Sequence, residues 1–320
     1  IITFDVIRRV TGHSFFMKYR YPAMLHTMPK NLVIFGGFAI GLILMVSIYG
    51  VLHARRVYVR QDPVVIEKSS SLPGLKIALI ADLHLGYNST KSHVRKIVDT
   101  INSQNVDLVC IAGDLFDNDY NAIKDPDEVA DILSDIKSRY GTYACWGNHD
   151  VSEKILAGFT FPQKETIVRD GRFTEFLHHA GITMLEDETV CINNAFYLVG
   201  RRDKDMAKKE QLPRKTFAEI TEPLDPSLPI IVMDHQPGEL SEASDAGVDL
   251  DLSGHTHDGQ MFPANLVVHF LWENACGVLK KGAMTSIVTS GAGVWGPAMR
   301  VGTNNEVVIA NVSFDPATDQ

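Results

Sequence analysis

The chain has 320 residues, of which 45% are hydrophobic and 22% are charged. This length fits one large domain with an appendage, and the composition excludes global disorder. The four cysteines form no Cys-x-x-Cys pair, which excludes a cysteine-rich zinc module and gives no disulfide framework.

Charge divides the chain into a basic front end and an acidic body. The formal net charge is -9, and residues 1–60 hold eight basic side chains against Asp5, a net +7 that leaves -16 for the remainder (-9 - 7). An acidic surface repels phosphate, so we expect no nucleic-acid partner. An anionic substrate would bind only with the help of metal cations.

An uncharged, largely apolar run occupies residues Asn31–Leu52. As a helix it would be about 33 Å long, enough to cross a hydrocarbon core of about 30 Å. Lys30 and the Arg55–Arg56 pair flank it at headgroup level. The run therefore predicts a transmembrane helix, and the alternatives are a buried helix of a soluble domain and a cleaved signal peptide.

The first 30 residues combine basic and aromatic side chains, which suits either an amphipathic segment on the membrane surface or a loop between two spans. Because the chain opens on Ile1 rather than Met, the sequence also allows a fragment whose earlier membrane spans are missing. We expect a membrane location, the cell membrane if the protein is bacterial. The basic residues flanking the run are nearly balanced, which leaves the side of the body and the number of spans open.

We predict a polar linker over 61–74 and a body over 75–320, in which strands and helices alternate. Buried strands are predicted at Leu75–Ala81, Val106–Ala112 and Thr142–Trp146. Ser89 or Thr90 caps the first helix between them, and Pro126 opens the second. This β-α-β-α-β order indicates an α/β layered fold.

Further apolar runs in the second half predict strands with fewer helices between them. They lie at Ile182–Leu185, Val190–Asn193, Phe196–Val199, Ile230–Met233, Val248–Leu252, Ile287–Ser290 and Val307–Val312. Two packed β-sheets flanked by helices accommodate this number of strands.

Five of the predicted strands run directly into polar residues that commonly bind divalent metals. The motifs are Asp82-x-His84, Gly113-Asp114, Gly147-Asn148-His149-Asp150, Asp234-His235 and Gly254-His255-Thr256-His257. Ligands gather at the carboxyl ends of strands in α/β sheets, so we expect these side chains at one rim. Each motif alone also fits an ordinary turn, and the ordered set makes the signal strong. His178-His179, in a predicted helix without a carboxylate or glycine partner, is assigned no role.

This series resembles the calcineurin-like metallophosphoesterase superfamily over about Leu75 to Val312. It is similar above all to the membrane-attached bacterial branch, in which Gly-Gln and a late Trp-Gly-Pro loop match Gly259-Gln260 and Trp295-Gly296-Pro297. The usual glycine after the His-x-His pair is Asp258 here, which leaves the ligands in place but changes the adjacent turn or adds an acidic contact.

The resemblance implies an αββα sandwich that binds two divalent metal ions per chain. One metal would be held by Asp82, His84, Asp114 and His257, and the other by Asp114, Asn148, His235 and His255. A carboxylate can bridge two cations about 3.5–4 Å apart, which suits Asp114. The mixed nitrogen and oxygen ligands favour Mn, Fe or Zn over Ca.

The resemblance also implies roles around the metals. His149 would face the substrate and protonate the leaving oxygen or stabilise charge, and Asp150 would orient His149. Asn118 would reach the substrate phosphate. In the late loop, Trp295 is a candidate for an apolar group and Arg300 for an anion, or the loop is simply a glycine-rich turn with a packed Trp.

The resulting hypothesis is a membrane-anchored phosphoesterase that hydrolyses phosphomonoester, phosphodiester or pyrophosphate bonds by metal-activated water. The membrane tether favours a lipid-linked or envelope substrate and makes the lipid bilayer a partner. A soluble-nucleotide phosphodiesterase and a non-catalytic membrane-anchored binding protein are the alternatives. The natural substrate, the metal identity and the oligomeric state stay open.

Overall fold

The computed structural model describes residues 30–153, 155–156, 159–160 and 169–315. The segment before Lys30, for which a membrane-surface role is predicted, lies outside the described residues. The chain divides into two units, residues 1–47 and 48–320, and the second holds the layered body.

One long apolar helix, α1 (Lys30–His53), contains the predicted run. An 18-residue window of this 24-residue helix has a mean hydropathy of 2.4, and the helix passes the length and composition tests for crossing a membrane. The side chains of its apolar window are exposed, whereas those of a core helix would be buried. Length and composition by themselves also fit a signal sequence near an N-terminus.

The body begins with a six-stranded mixed sheet. Its strand order is β1-β14-β2-β3-β4-β7. The strands are β1 (Tyr58–Ile66), β2 (Leu75–Ile80), β3 (Leu108–Ala112), β4 (Thr142–Cys145), β7 (Ile182–Met184) and β14 (Glu306–Phe314). A short antiparallel pair, β5 (Ile155–Leu156) and β6 (Phe159–Thr160), follows β4 along the chain.

A second six-stranded mixed sheet has the order β12-β13-β11-β10-β9-β8. Its strands are β8 (Glu188–Ile192), β9 (Phe196–Gly200), β10 (Ile230–Met233), β11 (Leu250–Ser253), β12 (Gly277–Lys281) and β13 (Met284–Val288). The remaining helices are α2 (Lys91–Ser103), α3 (Pro126–Ser134), α4 (Gly171–His179), α5 (Lys204–Glu210), α6 (Phe217–Thr221), α7 (Leu240–Asp245) and α8 (Ala264–Leu271).

Three hydrophobic layers hold these elements together. The inner faces of the two sheets meet in one core, for example through Leu79 and Leu108 from the first sheet and Leu198 and Leu252 from the second. Helices α2, α3 and α4 cover the outer face of the first sheet, and α6 and α7 cover that of the second. The predicted arrangement of two packed sheets flanked by helices is confirmed.

Local sequence signals predict the start of the first two helices of the body correctly. The Thr90 side chain accepts a hydrogen bond from the backbone of His93 and so caps α2, and Pro126 is the first residue of α3. The apolar side chains of α2 at helical spacing, such as Val94 and Ile101, are buried.

The predicted linker over 61–74 is wrong for its first six residues, which belong to β1. Asp62, Val64 and Ile66 are buried and alternate with exposed neighbours, the pattern of a strand with one covered face. Pro63 suggested a loop, but β1 is an edge strand, where a missing N–H is tolerated. Strand β1 pairs with β14 over its whole length.

Candidate metal centre

The five motifs come together because the strands that precede them are neighbours. Strands β2, β3 and β4 are adjacent and parallel in the first sheet, and β10 and β11 are adjacent and parallel in the second. The loops at their carboxyl ends meet where the two sheets face each other. The backbone N–H of His255 donates to the Asp82 carboxylate at 3.1 Å, which joins the two sheets directly.

The first group of candidate ligands is Asp82, His84 and His257. Their ligand atoms lie within 4.8 Å of one another, and all three residues are buried. The His84 and His257 Nε2 atoms are 3.0 Å apart, and His257 Nε2 is 3.6 Å from Asp82 Oδ1.

The second group is Asp114, His235 and His255, with Asn148 beside them. His235 Nε2 lies 3.1 Å from Asp114 Oδ2 and 3.0 Å from Asn148 Oδ1. His255 Nδ1 lies 2.8 Å from the same Asn148 oxygen. Asp114 Oδ2 is also 3.9 Å from His84 Nε2, so this carboxylate stands between the two groups.

The donor set fits cations. The Nδ1–H of His235 donates to the Ala112 carbonyl at 2.8 Å, so once Nε2 has lost its proton its lone pair faces the Asp114 and Asn148 oxygens and, at 3.3 Å, His255 Nδ1. Four acceptor atoms that converge in a buried space need a positive charge between them. Asp82, His84 and His257 offer a matching set on the other side of Asp114.

The four candidate histidine ligands divide into two with lowered pKa values, His255 and His257, and two with raised pKa values, His84 and His235. Burial lowers the pKa of His255 to about 3, and burial together with His84 lowers that of His257, so both imidazoles are neutral near pH 7. Burial acts to raise the pKa of Asp114, but His235 outweighs it and that pKa falls well below its usual value. Burial would lower the pKa of His235, and Asp114 instead raises it. A metal would therefore replace the proton shared by this pair.

The backbone at the site is bent into conformations that L-residues seldom adopt. Five candidate ligands have positive φ, with values from 44° to 71°: Asp82, His84, Asp114, His255 and His257. Such conformations cost of order 1–3 kcal/mol each and cluster at functional sites. Gly113, at φ 80°, packs so closely that a Cβ there would lie 2.5 Å from His235 Nδ1.

His149 lies beside the candidate metal ligands, and its ring partner differs from the predicted one. Its backbone N–H donates to Asp114 Oδ1 at 2.8 Å, and its Nδ1 forms a short contact with Asn118 Oδ1. Asp150 instead accepts hydrogen bonds from the backbone N–H groups of Gly147 and Phe116, at 2.7 and 2.8 Å. Asp150 therefore clamps the loop, and Asn118 is the residue that orients the His149 ring.

Two predicted substrate contacts need correction. Asn118 is buried, with its oxygen on His149 and its amide nitrogen 3.2 Å from Glu153, so it does not face open space. Arg300 is completely buried and donates to the carbonyls of His257, Ser290 and Gly293. The sequence pattern suggested an exposed anion-binding guanidinium because burial cannot be read from a glycine-rich loop.

Trp295 does lie near the site. Its ring centroid is 6.2 Å from that of His149, and its backbone is held by the Gln260 side chain through two hydrogen bonds of 2.8 and 2.7 Å. Gln260 thus ties the late loop to the His-x-His motif.

Several residues at the site were not found from the sequence. Asp117 forms a third group of candidate ligands with His84 and His149. Lys209 donates to the Asn148 carbonyl and to Glu153, both at 2.9 Å. Its segment, 200–214, is rich in charged residues, a composition typical of a solvated insertion. Instead Arg201 is buried and pairs at 3.0 Å with Asp234, the neighbour of His235.

Fold and site together define an αββα protein with a candidate dinuclear metal centre. The family model described as calcineurin-like phosphoesterase matches residues 75–259, more than half of the chain. The chain belongs to this family, and the resemblance seen in its motifs is confirmed.

Three similar proteins illustrate the family. An uncharacterized metallophosphoesterase of Helicobacter pylori strain J99 is 32% identical over 251 residues, 78% of this chain and 62% of that protein. A transmembrane protein with metallophosphoesterase domain from Danio rerio is 28% identical over 285 residues, 82% of this chain and 59% of that protein. The UDP-2,3-diacylglucosamine pyrophosphatase LpxG of Chlamydia muridarum is 24% identical over 228 residues, 61% of this chain and 67% of that protein. The chain thus spans about three fifths of the length of the first two.

Proposed function

We propose that this protein is a membrane-anchored, dinuclear metal-dependent phosphoesterase that acts on lipid-linked or envelope phosphoesters. The observation that carries the proposal is the position of Asp114 between two groups of buried ligands, with Oδ2 3.1 Å from His235 and 3.9 Å from His84. Membership of the calcineurin-like phosphoesterase family supports the reaction class.

The proposed ligand sets are those implied by the motifs. Asp82, His84 and His257 would hold one cation, Asn148, His235 and His255 the other, and Asp114 both. When bound, two divalent ions would supply Lewis acidity, activating a water molecule and neutralising phosphoryl oxygens. The nitrogen-rich ligand set favours Mn, Fe or Zn.

His149 is the proposed substrate-facing residue. Asn118 accepts from its Nδ1, which leaves Nε2 for the leaving oxygen of the substrate. The Asp150 carboxylate keeps the loop in shape through the backbone of Gly147 and Phe116. Trp295, on the late loop beside His149, would contact an apolar part of the substrate.

A cavity beside His84 favours an amphiphilic substrate over a free nucleotide. It has a volume of about 480 Å³ and combines the apolar Val51, Ala54 and Leu83 with the basic Arg55 and Lys96. Polar side chains of the 88–93 segment also line it, and this mixture of apolar, polar and basic groups suits a phosphoester that carries a lipid tail. The name of the Chlamydia relative, a pyrophosphatase acting on a diacylated sugar nucleotide, is in keeping with this class of substrate.

The test is turnover of bis-p-nitrophenyl and p-nitrophenyl phosphate by the full chain in detergent, with Mn, Zn, Mg and EDTA compared. We expect metal-dependent hydrolysis that EDTA abolishes and metal restores. Metal binding without turnover of either ester would favour the non-catalytic binding protein. Faster hydrolysis of soluble cyclic or linear nucleotides than of lipid phosphoesters would favour the nucleotide phosphodiesterase.

The membrane anchor is tested separately. If α1 spans the bilayer, the chain will stay in the membrane pellet after a carbonate wash and leave it only with detergent. Release by high salt alone would assign attachment to the basic residues and overturn the spanning helix.

A further inference from the structure

Helix α8 carries an apolar face that no other part of the described body covers. The eight residues of α8 include no Asp, Glu, Lys or Arg, and none of them is buried. Its large apolar side chains, together with the residue two positions before it, are exposed: Phe262, Leu266, Val267, Phe270 and Leu271. Phe270 is 89% exposed. A contiguous apolar patch of this kind marks a contact surface for a protein or a membrane.

This face lies next to the point where α1 joins the body. The backbone N–H of Phe262 donates to the Val301 carbonyl at 2.8 Å, and the N–H of the preceding residue in that loop, Arg300, donates to the Gly50 carbonyl at 3.0 Å. Gly50 is in the last turn of α1, near the end of the uncharged run at Leu52. If α1 crosses a membrane, the 300–301 loop and Phe262 therefore lie at the level of the lipid headgroups.

The same region carries the side chains that favour an interface. Tyr49 is exposed in the last turns of α1, and Arg55 and Lys96 line the same cavity as Val51 of α1. Aromatic rings and basic groups at the end of a span are typical of the headgroup layer. This continuity with a membrane anchor favours acyl chains, rather than a second protein, as the partner of α8.

We infer that α8 lies on the bilayer surface with Phe262, Leu266, Val267, Phe270 and Leu271 inserted among the acyl chains. A helix that lies in the interface plane buries its apolar face by about 5–10 Å. The inference deepens the proposed function, on which it rests, because it assigns the substrate to a phosphoester at the membrane surface.

Two contacts connect this face to the metal ligands. Asp258, next to the ligand His257, accepts a hydrogen bond from His269 of α8 at 3.0 Å. Trp272 follows α8 directly, and its ring lies 5.3 Å from that of the ligand His255. Docking of α8 would therefore hold the metal centre close to the headgroup layer.

The experiment uses the full chain reconstituted in vesicles of phosphatidylcholine and phosphatidylglycerol, with and without brominated acyl chains. Val267→Trp and Phe270→Trp add a fluorophore on the proposed face. Val65→Trp is the matched control, because Val65 on β1 is 48% exposed and Val267 is 53% exposed. The emission of the wild type, with its three native Trp, is subtracted.

We expect brominated lipid to quench the added emission at 267 and 270 by about twofold or more and to leave that at 65 nearly unchanged. Equal quenching at 267, 270 and 65 would overturn the inference. So would emission at 267 and 270 that is blue-shifted but unquenched, because another protein surface would then cover the face.

Turnover of soluble bis-p-nitrophenyl phosphate with Mn is measured on the same vesicles. It shows that each variant is folded, and its absence from the wild type would refute the proposed function separately from the docking of α8.

Discussion

Gly113→Ala tests whether the close packing behind His235 holds the metal centre together. The added Cβ would lie 2.5 Å from Nδ1 and 2.7 Å from Cγ of His235, and 2.9 Å from the Gly147 Cα. Ordinary contacts begin near 3.4 Å, so the ring must move by about 0.9 Å or break its hydrogen bond to Ala112. Misplacement of a reacting group by about 1 Å can cost about 100-fold in rate, and metal sites tolerate only about 0.2 Å.

We therefore expect Gly113→Ala to lose metal and at least about 100-fold in kcat/KM for bis-p-nitrophenyl phosphate. Gly247→Ala is the control, because Gly247 has φ 83°, close to the 80° of Gly113, and its Cβ would meet nothing within 4 Å. The control adds a Cβ at a left-handed position without a clash, which lowers the free energy of unfolding by about 1–2 kcal/mol. It should therefore keep its metals and its activity. If Gly113→Ala matched Gly247→Ala in metal content and turnover, the packing argument would fail.

Four further predictions concern individual side chains. Asp114→Asn should lower metal content and activity together, and two retained metals with near wild-type turnover would refute the shared ligand. His149→Ala should keep both metals but lose about 10²–10⁴-fold in kcat/KM, more for an alkyl than for a nitrophenyl ester, and equal losses for the two esters would remove the acid role. Arg300→Met leaves three buried carbonyls without this donor, so it should lower the free energy of unfolding by about 3 kcal/mol, whereas a raised KM with unchanged Tm would restore the substrate role. Burial raises the pKa of Asp251 to about 7, so the folded state keeps a proton that the unfolded state loses near pH 4, and the free energy of unfolding should fall as the pH rises from about 4 to about 7. Asp251→Asn should make the slope of Tm against pH shallower, with the rest of the slope due to other buried carboxyls such as Asp150, whose pKa burial also raises to about 7; an unchanged slope would contradict the assignment.

The order of strands and ligands could be read from the sequence because both signals are local. Short apolar runs predict strands, and an Asp or His just after each run predicts a shared rim when the strands are parallel. The run Leu75–Ala81 and the motif Asp82-x-His84 show both signals in ten residues. Strand β1 was not predicted because Pro63 interrupts its alternation of apolar and polar residues. Its partner, β14, also lies about 250 residues away in the chain.

The environment of each polar side chain could not be read in the same way. Asp150 follows His149 directly, yet its carboxylate turns to the backbone of Gly147 and Phe116, and Asn118, 31 residues earlier in the chain, reaches the ring. Arg300 and Arg201 are charged and lie in polar or glycine-rich stretches, yet both are buried, with acceptors that include His257 and Asp234, 43 and 33 residues away. Hydrogen-bond partners that are distant in sequence decide such roles, and a single sequence does not name them.

Asp258 shows how one departure from the family pattern connects the two proposals. At φ 51° it occupies a left-handed position that favours glycine, so a side chain there costs backbone strain. The carboxylate offsets part of that cost, because it accepts from His269 and holds α8 against the His-x-His loop. Glycine would remove the strain and also this tie. The residue next to the candidate ligand His257 therefore helps to hold the exposed apolar helix in place, which is the arrangement expected if the metal centre works at a membrane surface.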